Sequence, residues 1–128
     1  MRERQDTPQI VRSYKDLNVW KRSMRLCELV YEITQTYPAS ERFGLSAQMR
    51  SAAVSVPSNI AEGHGRLATK EYRQFLGIAR GSLCELETQI LISTRLGYLT
   101  PDRDECVALV NETSRMLNGL IRVITAKD

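Results

Sequence analysis

At 128 residues, 42% hydrophobic and 26% charged, the chain has the size and composition of one globular domain that buries a core without disulfides or metal. A net charge of +3, from 14 Arg and 4 Lys against 15 acids, permits a nucleic-acid-binding surface without requiring one, and the arginine excess suits phosphate oxygens. Charge-free stretches are too short to span a bilayer, and the start Met1-Arg2-Glu3-Arg4-Gln5-Asp6 lacks the apolar segment of a secretory leader, so a soluble cytoplasmic protein is expected.

Residues 1–13 are polar, include Pro8 and carry no helical stripe, which predicts a flexible arm ahead of one domain over 14–128. The first helix is expected from about Tyr14 to Thr36. Leu17, Trp20, Met24, Cys27, Tyr31 and Thr34 step by three and four along one face, and Tyr37-Pro38 ends it. The second begins between Ser40 and Ser46, with Leu45, Met49, Ala52, Ala53, Val56 and Ile60 as its stripe. Pro57 predicts a kink, because it removes an N–H and crowds the carbonyl of Ala53. Gly63 and Gly65 close this helix.

Thr69 is the expected cap of the third helix, with Glu71 in its first turn. Its stripe is Tyr72, Leu76, Ala79, Leu83, Leu86 and Ile90, and Gly97 stops it. The last helix starts at Thr100-Pro101, followed by Asp102, Asp104 and Glu105. Val107, Val110, Ser114, Leu117, Ile121 and Ile124 line it. Short connections make successive helices antiparallel, so the expected fold is all-α, an antiparallel up-down-up-down four-helix bundle.

Three helices carry a second apolar row: Val19, Leu26, Val30 and Ile33 on the first; Phe75, Ile78, Ile92 and Leu96 on the third; Cys106, Leu109, Met116, Leu120 and Val123 on the fourth. The apolar arc is then wider than a surface helix needs. Either the core is unusually broad or the excess covers a second copy of the chain. On the second reading Phe75, Ile78, Ile92, Met116 and Leu120 are candidate interface residues. Gly77, Gly81 and Ser82 would let helices approach closely, within the bundle or between copies.

Three segments stand out: Arg50 to Gly63, which reads Arg-Ser-Ala-Ala-Val-Ser-Val-Pro-Ser-Asn-Ile-Ala-Glu-Gly; Ile78 to Glu87, which reads Ile-Ala-Arg-Gly-Ser-Leu-Cys-Glu-Leu-Glu; and Leu96-Gly97-Tyr98-Leu99. With the opening Tyr14-Lys15-Asp16-Leu17-Asn18-Val19-Trp20, they resemble the bacterial four-helix-bundle family encoded in intervening sequences of 23S rRNA genes, over about residues 14–125. The resemblance implies an up-down bundle assembled as a homopentamer, with no catalytic residues. The chain also looks like a relative of the accessory proteins of diversity-generating retroelements, which form pentameric barrels that bind nucleic acid and a reverse transcriptase. His64 departs from the pattern, where an aromatic residue is common.

No residues suggest an enzyme or a cofactor. A di-iron bundle needs several inward Glu and His ligands, and His64 is the one histidine in the chain. Cys27, Cys84 and Cys106 sit in apolar helical patterns and read as buried free thiols. Gly63-His64-Gly65 lacks the longer pattern and preceding strand of a phosphate cradle. Asn59, Glu62 and Glu85 read as a structural polar network, with Arg50 or Arg80 as partner for Glu85.

Basic residues are the remaining ligand-binding feature. Arg66, Arg73 and Arg80 recur every seven residues with Lys70 between them. Lys21, Arg22 and Arg25 cluster on the first helix, and Arg115 and Arg122 lie one heptad apart on the last. A ring of subunits would repeat such a patch and add weak phosphate contacts together. Two readings stay open: an oligomeric scaffold that binds RNA or DNA without reading sequence, and a purely structural or protein-interaction oligomer whose charged faces are merely solvated.

Overall fold

The computed structural model describes residues 11–100 and 104–127. Four helices account for most of them: α1 (Asn18–Thr34), α2 (Leu45–His64), α3 (Thr69–Arg95) and α4 (Asp104–Ala126). Among the described residues there is no strand. Each helix packs against its neighbour in the chain, and α4 closes against α1, while the diagonal pairs stay apart. The four therefore stand around one core, as the stripes predict.

Local chemistry sets the helix ends. Ahead of α1, Tyr14–Asp16 forms one 3-10 turn. The Asp16 carboxylate accepts from the Arg12 and Ser13 N–H groups at 2.9 and 3.2 Å. Those bonds hold its pKa below the usual carboxylate range. Leu17 is extended, so α1 starts at Asn18, four residues after the expected start at Tyr14. The predicted arm lies, for residues 1–10, outside the described residues, as do Pro101 and Asp102 of the α4 start signal.

α2 begins at Leu45, whose N–H donates to Glu41 Oε1 at 3.0 Å. α3 begins with Thr69 itself; Ala68 stands at the cap position, and no side chain caps it. At the other end Gly97 has φ +81, and the Tyr98 N–H returns to the Ser93 carbonyl at 2.9 Å. That closure needs the left-handed backbone glycine tolerates. α2 runs through Pro57, whose ring is buried.

Contact order reveals direction on two seams. On α2 and α3, Met49 meets Ser93, Ser55 meets Ser82, and Gly63 lies under Tyr72 and Phe75. On α1 and α4, Arg22 meets Glu112 and Arg25 meets Glu105. Numbers rise on one helix as they fall on the other, so both pairs are antiparallel.

Leu26, Val30, Ile33, Met49, Val56, Ile60, Leu76, Leu83, Leu86, Ile90, Val110 and Leu117 form the fully buried centre. Each such side chain contributes roughly 1.5–3 kcal/mol through removal from water. The expected stripes of α2 and α3 are this core. On α1 both rows reach the core: Thr34 of the first is buried, and Leu17, Trp20 and Cys27 pack against it. The row expected to be extra, Val19, Leu26, Val30 and Ile33, faces inward, while Met24 and Tyr31 are 38% and 41% exposed. On α4 Cys106 joins Val110, Leu117 and Ile124 inside, and Val107 turns outward. Both rows have the same period, so only the neighbouring helices decide which of them goes deeper.

Candidate nucleic-acid interface

The seven candidate cations separate into two groups. On α1, Arg22 pairs with Glu112 of α4, and Arg25 lies 3.3 Å from Glu105, 3.6 Å from Glu28 and 3.8 Å from Glu32. Lys21 is exposed beside them. Acids thus surround the α1 cluster, and an incoming phosphate would have to compete with them. Arg66 is similarly engaged. It pairs with Glu62 at 2.9 Å, one helical turn earlier, and its guanidinium covers the Phe75 ring at 4.7 Å.

The α3 cations have a different setting. Arg80 reaches across to α4, its Nη1 donating to Asn118 Oδ1 at 3.5 Å. Arg73, two turns earlier, shares that side of α3 by helical spacing, and exposed Lys70 lies one further turn along. On α4, Arg115 and Arg122 stand three residues before and four after Asn118, hence on the same side, and both are exposed. One flank of the molecule, where α3 meets α4, therefore gathers Lys70, Arg73, Arg80, Arg115 and Arg122. Glu87 also lies on this side of α3.

The four residues expected to form a polar network do not join. Arg50 donates from Nε to Thr34 Oγ1 at 2.8 Å and stacks on Tyr31 at 4.6 Å, which ties α2 to α1. Asn59 Nδ2 donates to the Ser55 carbonyl at 2.8 Å and to Ser55 Oγ at 2.9 Å. Glu62 holds Arg66. Glu85 is exposed and accepts from Gln89 Nε2 at 3.3 Å, with neither arginine beside it. Water solvates that carboxylate, so no buried partner is needed.

The candidate interface residues also separate. Ile78 and Ile92 are 52% and 41% exposed. Phe75 is half-buried under Arg66, while Met116 and Leu120 are half-buried against the core. Next to Ile78, a Cβ added at Gly77 or Gly81 would meet nothing within 4 Å. Leu96, 55% exposed just past the end of α3, continues the row of Ile78 and Ile92. Trp20, Met24, Cys27 and Tyr31 leave a second, partly open stripe on α1.

The thiols differ from one another. Burial pushes Cys106 up to about 11 and raises Cys27, but Cys84 is exposed, contrary to expectation. It follows the buried Leu83 and so sits about 100° further round α3. His64 packs edge-on against Tyr72 at 5.8 Å. Among the described residues no three His, Cys, Asp or Glu side chains converge as metal ligands, and no helix is long and apolar enough to cross a membrane.

Sequence reasoning passed over one concave feature. A cavity of about 590 Å³ opens where the α1–α2 connection meets the first turn of α2, with Arg42, Phe43 and Arg50 on its walls. Its signal in the sequence is an aromatic residue in a turn, Arg42-Phe43-Gly44.

Residues 15–119 match the model of one protein family, described as 23S rRNA-intervening sequence protein. The chain belongs to that family. The match runs from the 3-10 turn before α1 well into α4, and so includes the cavity and the α3–α4 flank apart from Arg122. No curated protein matches the chain.

Proposed function

We propose that this family member is a non-enzymatic scaffold that self-assembles through the outer side of α3 and holds RNA or DNA on the α3–α4 flank without reading sequence. The observation that carries the nucleic-acid part is the flank itself: Arg80 reaches Asn118, so the cations of two helices share one surface. Assembly rests on Ile78, Ile92 and Leu96, exposed beside glycines that no neighbour crowds. A homopentamer is the stoichiometry that the family resemblance implies. A ring would multiply a flank that offers few phosphate contacts per subunit.

Gel-shift titration with RNA and DNA of equal length at several salt concentrations tests the reading. Binding should weaken steeply with salt and depend little on sequence. Lys70→Glu with Arg80→Glu should abolish it without changing helicity or mass in solution. Wild-type protein that retains neither nucleic acid at low salt would leave the second reading, a purely structural oligomer. The ion pairs that occupy Arg22, Arg25 and Arg66 favour that alternative.

A further inference from the structure

The cavity at the α1–α2 corner differs in charge from two grooves elsewhere on the bundle. The groove between α1 and α4, about 280 Å³, has Arg22 and Arg25 balanced by Glu105 and Glu112. Another, about 360 Å³, is lined by Asn18, Lys21, Arg22 and Met116, and its Arg22 is already paired with Glu112. The corner cavity has two arginines and no acid on its walls. The nearest acid in the chain, Glu41, is occupied elsewhere: Oε1 accepts from the Leu45 N–H and Oε2 from the Tyr98 hydroxyl at 2.8 Å.

Both arginines are held by aromatic rings. Arg50 is half-buried over Tyr31, and its Nε is fixed by Thr34. Its Nη2 donates to the Tyr31 carbonyl at 3.4 Å, and no acid lines the cavity beside it. Arg42 lies over the Phe43 ring at 5.3 Å, yet Phe43 remains 87% exposed. The ring therefore offers an open aromatic face beside that guanidinium, on the wall of the cavity. Gln35 on the same wall adds an uncharged group for hydrogen bonding. The volume suits a small organic molecule, for which pockets of roughly 300–1,000 Å³ are usual.

We infer that this corner binds one nucleotide of a single strand, its phosphate between Arg42 and Arg50 and its base stacked on Phe43. An open aromatic face takes any base, and the two guanidiniums on the cavity wall take the anion beside it. A duplex keeps its bases stacked on one another and cannot offer a face to Phe43. The inference rests on the proposed association with nucleic acid and adds to it a preference for unpaired strands. A free nucleotide has the same chemistry as one within a strand.

Fluorescence anisotropy with labelled oligo(U) and a duplex of equal length tests it on the full chain. Phe43→Ala, at an exposed position, should weaken oligo(U) binding roughly five- to a hundred-fold and leave the duplex unchanged. Arg42→Glu should weaken oligo(U) and flatten its salt dependence by about one phosphate. Lys70→Glu with Arg80→Glu should weaken both nucleic acids. If oligo(U) and duplex respond alike to Phe43→Ala, the corner assignment is wrong while the α3–α4 reading stands. If neither nucleic acid binds, backbone amide NMR shifts with uridine monophosphate or inorganic phosphate decide. Shifts across residues 42–50 with the nucleotide and not with phosphate would assign the corner to a free nucleotide. Equal shifts with both, or none with either, would overturn it.

Discussion

Where α2 meets α3, the contacts are small. Ser55 and Ser82 share a hydrogen bond at 2.8 Å, and a Cβ at Gly63 would stand 2.8 Å from the Cβ of Phe75. Where α1 meets α4, the contacts are long and charged, Arg22 with Glu112 and Arg25 with Glu105. At the first seam the backbones come close and the fit depends on the absence of atoms. At the second, flexible side chains span the gap and water screens them. The first seam should therefore be brittle toward substitution and indifferent to salt, and the second the reverse. The same difference bears on function: Arg22 and Arg25 of α1 are engaged by acids, while Arg80 of α3 turns toward the flank shared with α4.

The largest effect is expected at Gly63. In Gly63→Ala the new methyl group meets a Cβ and the Tyr72 carbonyl at 3.2 Å, atoms that only a backbone shift can move. Destabilisation of about 1–3 kcal/mol should follow, read as a lower urea midpoint with an unchanged slope. A neutral outcome would mean that α2 and α3 do not approach this closely.

Gly77→Ala and Gly81→Ala lie on α3 and face away from that seam, with open space at each Cβ. In an isolated subunit each should add about 0.5–1 kcal/mol of stability, because alanine loses less conformational entropy in a helix. In an assembly that packs against α3 the same methyl groups should weaken association. Denaturation midpoint and mass by light scattering therefore move in opposite directions if the outer side of α3 is an interface. A higher midpoint with unchanged mass would place the interface elsewhere.

Much of this contrast was legible in the sequence, and its limits are physical. The stripes of α2 and α3 read correctly, because each helix has a single continuous row of core residues. On α1 two apolar rows share one period, so the pattern alone does not tell that Val30 is wholly buried while Met24 is 38% exposed. The cation groups were visible, but their fates were not. Arg25 meets Glu105 eighty positions away, a pairing no local pattern encodes. The corner cavity was invisible for a related reason, since a turn, the end of α1 and the first turns of α2 build it together.

On the α1–α4 seam, Glu105→Gln should cost no more than about 0.2–1 kcal/mol, the usual range for exposed pairs. The difference from wild type should shrink as salt is raised, since the partners stay in water. A large or salt-independent loss would show that this seam is as tightly fitted as the other.

The smallest effect is expected from acid, at the far end of the α2–α3 seam. Glu41 precedes α2 and Tyr98 follows α3, and their bond continues the register from Met49 and Ser93. The Leu45 N–H, and after it the Tyr98 hydroxyl, hold the Glu41 pKa below its ordinary value of 4.5. Its folded pKa is depressed, so its contribution is complete above about pH 4.5 and declines as pH falls through the lower folded value. Tyr98 shifts the opposite way, upward, chiefly because it donates to that carboxylate. Glu41→Gln keeps one oxygen acceptor, puts an N–H donor in place of the other, to which the Tyr98 hydroxyl can turn its oxygen, and removes the titration. Thermal melts of wild type should therefore drop between pH 4.5 and 3 more than those of the variant, by a small margin because the carboxylate is solvated. Parallel curves for the two proteins would mean that Glu41 gains nothing from its charge, and that the end of this seam is held by packing alone.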